Sequence, residues 1–97
     1  MAAAGRTING ESSFNNNNIS TATTTTVKSG AGHLHSIVVN TTAIGAITVY
    51  DNTAGSGTKI ATLKASVGEG TYLYDVQFAT GLTVVTAAAS DVTVTFA

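Results

Sequence analysis

The chain has no cysteine, no proline and no tryptophan, and only four basic and five acidic residues among 97. Without cysteine there is no disulfide staple, no thiolate nucleophile, no cysteine zinc site and no thiol redox switch. The charges nearly cancel, to a formal −1. That excludes the dense basic surface needed to hold nucleic acid or an anionic membrane without sequence specificity, so neither is an expected partner. No stretch approaches the roughly 20 apolar residues of a membrane-spanning helix, and no cationic segment leads into an apolar one near the start. The chain therefore reads as made in the cytoplasm and kept there, or in something assembled there. Whole-chain disorder is excluded as well, because 43% of the residues are hydrophobic and the net charge is small. What is left is a single small domain.

The first twenty residues differ from the rest. Gly5 to Ser20 is rich in Asn, Ser and Gly, and only Ile8, Phe14 and Ile19 bring large apolar area. Asparagine and glycine favour turns and irregular backbone, so residues 1–20 read as an extended N-terminal arm and residues 21–97 as the folded domain. From Thr21 onward apolar residues recur with period two. Thr21 to Lys28, Gly32 to Asn40, Ala46 to Asn52, Lys59 to Leu63, Thr71 to Phe78, Gly81 to Thr86 and Asp91 to Phe96 each read as a strand. In the second of these, alternation places Leu34, Ser36 and Val38 on one face and His33, His35, Ile37 and Val39 on the other. Asp51 to Thr58 reads as the long tip of a hairpin.

About seven short strands at roughly ten-residue spacing predict an all-β fold, a small antiparallel β-sandwich. Ala87 to Ala89 is too short for a stable helix and reads as a turn. The many threonines favour extended backbone and face water without charge, so the outer sheet faces should be polar yet nearly uncharged. The basic residues are Arg6, Lys28, Lys59 and Lys64, and none interrupts the last strand. A free monomer usually protects sheet edges with charge, so these surfaces read as ones meant to be covered, either by a partner or, within the domain, by the arm.

Candidate chemistry is sparse. His33 and His35 project from one face of a strand about 7 Å apart, a separation metal sites use. The spacing of Asp51, Glu69, Asp75 and Asp91 brings none of them near, so no metal or cofactor is expected. The pair reads as a surface or interface feature, one that a pH change or a bound ion at a symmetry axis would tune. Glycine pairs at 30/32, 55/57 and 68/70 lead into strands, so they read as turn glycines and not as phosphate loops. The acids read as solvated loop residues, with Asp75 alone in mid-strand. No Gly-x-Ser-x-Gly elbow exists, and catalysis is not expected. Tyr72 and Tyr74 share a strand face, suited to packing, to a subunit contact or to stacking on a sugar. The glycosylation patterns at Asn18 and Asn40 carry no weight without a secretory signal.

The run from Gly45 to Ala61, a strand ending Val-Tyr-Asp-Asn followed by a Gly/Ser loop and a short return strand, resembles small structural proteins of tailed-bacteriophage virions. Val76 to Thr86 and Asp91 to Phe96 are similar to the C-terminal half of that group, and the likeness spans about residues 30 to 97. The resemblance implies a jelly-roll or related β-sandwich, often a homotrimer, that decorates or cements the outer surface of an icosahedral head. Its partner would then be the major capsid protein and its location the virion. The alternative it carries is a tail or fibre module that binds a receptor or glycan through Tyr72, Tyr74 or the loop from Asn52 to Thr58. In the decoration reading the arm grips the shell, with Ile8, Phe14 and Ile19 as its apolar anchors.

Overall fold

The computed structural model describes residues 14–97. Eight strands and no helix make up the described residues: β1 (Asn15–Ile19), β2 (Thr23–Ser29), β3 (Gly32–Thr41), β4 (Ile47–Asp51), β5 (Thr58–Leu63), β6 (Gly70–Phe78), β7 (Gly81–Thr86) and β8 (Asp91–Phe96). They form two four-stranded antiparallel sheets, in the orders β1-β8-β3-β6 and β2-β7-β4-β5.

One hydrophobic core joins the sheets. Leu34, Ile37, Val92 and Val94 from the first, with Ile47, Val49, Leu82 and Val84 from the second, are buried in it. The period-two alternation of β8 explains its central place. Val92 and Val94 turn inward opposite Val39 and Ile37, while Thr93 and Thr95 turn outward. All seven strands expected from alternation are present, and Ala87 and Ala88 form a bend with no helix at Ala89.

Two expectations are corrected. The boundary at residue 20 falls inside the folded domain, because Asn15–Ile19 adds an edge strand to β8 in unbroken register, from Asn15 opposite Phe96 to Ile19 opposite Val92. Ile19 is 4% exposed and belongs to the core, so it is no anchor for a distant surface. Burying Ile19 and pairing β8 outweighs the weak strand preference of asparagine, a case of tertiary context overriding propensity. The expected arm otherwise comprises residues 1–13, Phe14 and Ser20; the first thirteen, Ile8 among them, lie outside the described residues.

The second correction concerns β3. Toward β8 the register steps two residues on β3 (Leu34 to Ser36) against one on β8 (Phe96 to Thr95). Toward β6 the same two residues face three, from Val76 to Leu73. These bulges shift the alternation, so His33 and His35 stay on the outer face while Ile37 and Val39 enter the core.

The second sheet has a covering. The loop between β4 and β5 folds back over its outer side, where Thr83 Oγ1 donates to the Asn52 carbonyl at 2.7 Å and Thr26 Oγ1 to the Thr53 carbonyl at 3.1 Å. Gly55 permits this approach: a Cβ there would lie 2.9 Å from Val85 Cγ2 and 3.2 Å from Thr24 Cγ2.

Candidate functional site: a histidine and aspartate cluster on the open sheet face

The outer face of the β1-β8-β3-β6 sheet carries the principal side-chain cluster. Leu34 points into the core, so its neighbours His33 and His35 point out. Pairing of β3 with β6 sets Gln77 opposite His33, and the bulge then brings in Asp75. Asp75 has φ +50°, a left-handed conformation that aspartate tolerates better than most side chains. One carboxylate oxygen, Oδ1, meets His33 Nε2 at 3.1 Å and His35 Nδ1 at 2.6 Å.

The side chains of His33, His35 and Asp75 are 35%, 32% and 46% exposed, so the cluster is rooted in the sheet yet open to water. The hydrogen bond from His33, and then that from His35, holds the Asp75 carboxyl below its ordinary range. Phe14 lies over the pair. Its ring stacks on His35 with centroids 4.1 Å apart and planes within 7°, and sits 6.2 Å from His33. His33 also forms part of the rim of an open concavity of about 760 Å³ at the end of the sandwich, lined by Lys28, Asp51 and Phe78 among others.

A carboxylate holding imidazoles is the supporting half of a nucleophilic triad, and the serine next to His35 in sequence already has a hydrogen-bond partner elsewhere. Ser36 is buried and shares a 2.6 Å hydrogen bond with Thr95 Oγ1. The donor set instead suits a cation: two imidazole nitrogens and a carboxylate oxygen, all within 4.8 Å of one another.

The remaining candidates pack against the core or hydrogen-bond within the fold. Tyr72 and Tyr74 pack half-buried against the core. The Tyr72 hydroxyl donates to the Gly68 carbonyl at 2.5 Å, and burial, followed by the neighbouring Tyr72, pushes the Tyr74 phenol up. The acids are not merely solvated. Asp51 accepts hydrogen bonds from the backbone N–H groups of Ala79, Thr80 and Gly81, at 2.9, 2.8 and 3.3 Å. Those from Ala79 and Thr80 hold its carboxyl below the ordinary value. Asp91 accepts from Asn18 at 2.7 Å and from Asn40 at 3.3 Å, tying β1 and β3 across β8. Glu69 accepts from the Thr42 N–H at 3.2 Å.

Sequence spacing brought the histidines together but missed Asp75, which is forty residues from His35 and reaches it only through strand pairing. The one signal for it in the sequence is a charged residue in the middle of a strand, on the face opposite Tyr74 and Val76. Among family models, curated proteins and solved structures, none matches this chain.

Proposed function

We infer that this protein is a structural component of a tailed-bacteriophage virion, a decoration or cement protein that binds the outer surface of the head and bridges major capsid protein subunits as a homotrimer. The observation that carries the reading is the strand order, 1-8-3-6 facing 2-7-4-5. We read that order as a jelly roll, two interlocked Greek keys, an architecture used by viral capsid and lectin domains. Fold alone does not assign a function, and the resemblance of residues 30–97 to small virion proteins gives the reading its direction.

Cementing requires contact area and repetition, and no reaction. A weak footprint repeated around a trimer becomes tight when all copies engage at once. Polar strands with few charges suit such contacts because little desolvation of charge opposes docking. Phe14, 38% exposed, and Leu73, 64% exposed, supply apolar area on or beside the open sheet.

The test is the copy number of this chain in purified particles, measured against the major capsid protein by quantitative mass spectrometry. Hundreds of copies per particle is the expected result. A dozen or fewer moves the protein to a tail or vertex and overturns the decoration reading, and none at all overturns the virion reading.

A further inference from the structure

We propose that His33, His35 and Asp75 bind one divalent transition-metal ion of the zinc class, with His33 Nε2, His35 Nδ1 and one Asp75 carboxylate oxygen as ligands. Mixed imidazole and carboxylate donors suit zinc and its neighbours, whereas calcium and magnesium take oxygen ligands.

The geometry is close to that of a bound site. A tetrahedral ion about 2.0 to 2.2 Å from each donor places the donors about 3.3 Å from one another. Here the two nitrogens lie 3.1 and 2.6 Å from Asp75 Oδ1, and no pair among the three ligand atoms is more than 4.8 Å apart. Side-chain rotations of an ångström or so open room for the ion. Without an ion the near nitrogens donate to the Asp75 carboxylate; on binding, each neutral ring gives up that hydrogen and takes one from water on its far nitrogen, His33 on Nδ1 and His35 on Nε2, so that the near nitrogen becomes a lone-pair donor with no net change of charge.

The local backbone marks the cluster as built. The backbone departs from regular pairing on both β3 and β6 at this point, and Asp75 adopts a left-handed conformation unfavourable for a residue with a Cβ. Bulges and local strain of this kind serve to re-aim side chains beside functional sites. Phe14, stacked on His35, holds that ring in the plane that presents Nδ1 to the carboxylate. Partial exposure of all three ligands leaves an approach for the ion and room for water at the remaining coordination position.

The experiment uses the full chain, stripped of metal by chelation and titrated with zinc chloride by calorimetry. NMR of the histidine ring nitrogens is recorded in parallel. Saturation at one ion per chain is expected, with the metal-bound shift falling on Nε2 of His33 and Nδ1 of His35. His35→Gln and Asp75→Asn should each weaken binding at least tenfold with unchanged circular dichroism. Cobalt(II) should give the intense visible absorption of a tetrahedral site in the parent chain and lose it in both variants. Absence of saturable zinc binding overturns the proposal. So does one-to-one binding that leaves the His33 and His35 ring nitrogens unmoved, a readout that does not depend on the variants folding.

Discussion

The two outer sheet faces of this protein differ in composition, with threonine concentrated in β2 and β7 of one sheet and asparagine, histidine and tyrosine in β1, β3 and β6 of the other, and they end up doing different things. On the β2-β7-β4-β5 sheet, the loop after β4 lies over β7 and β2, and the buried Thr83 hydroxyl hydrogen-bonds a loop carbonyl. On the β1-β8-β3-β6 sheet, bulges in β3 and β6 collect His33, His35 and Asp75 beneath the exposed ring of Phe14. The difference lies in where polar groups find partners. Hydroxyls that bond to backbone carbonyls close a surface, whereas imidazoles gathered on one carboxylate leave donors that an ion can take over.

The largest expected effect comes from the core under the open face. Leu34 is fully buried between the two histidines, so Leu34→Ala should cost about 2 to 5 kcal/mol, read from chemical denaturation. It should also lengthen the contacts of His33 and His35 with Asp75. A loss under about 1 kcal/mol would mean that the cluster is not seated on the core.

The covered face is tested by Gly55→Val. The new side chain meets Val85 and Thr24, so the loop must lift, and a loss of about 1 to 3 kcal/mol is expected. Hydrogen exchange at Thr83 to Val85 should rise with it. Unchanged stability would show that the loop does not cover the sheet.

The smallest expected effect is a pH dependence centred on Asp51, which joins the end of β4 to the turn between β6 and β7. Its folded pKa lies below the ordinary 3.8 because backbone N–H groups stabilise the carboxylate. The contribution is therefore complete above pH 3.8 and fades as pH falls through the lower folded value. Asp51→Asn should melt below the parent at neutral pH, and the gap between the two should close as the solution is acidified. A gap that widens in acid would contradict this assignment.

Strand existence was legible because alternation is local. Val92, Val94 and Phe96 against Thr93 and Thr95 declare a strand with no knowledge of its neighbours. The bulge at His35 was not legible, since it exists only relative to the registers of β6 and β8. For that reason Ile37 and Val39 read as face-mates of the histidines when they lie in the core. The Asn15–Ile19 strand was hidden by its composition, because four asparagines carry turn preference and only Ile19 signals burial.

By itself the sequence determined the all-β class, the seven strands from Thr21 onward, the absence of thiol chemistry and the shared strand face of the two histidines. Each of these follows from residue type and short-range period. Tertiary structure alone decided that Asn15–Ile19 joins the sheet, that Asp51 locks a turn 28 to 30 residues away, and that Asp75 closes on the histidines. Those outcomes depend on strand register, which is settled by which apolar faces can be buried together and not by any segment read alone.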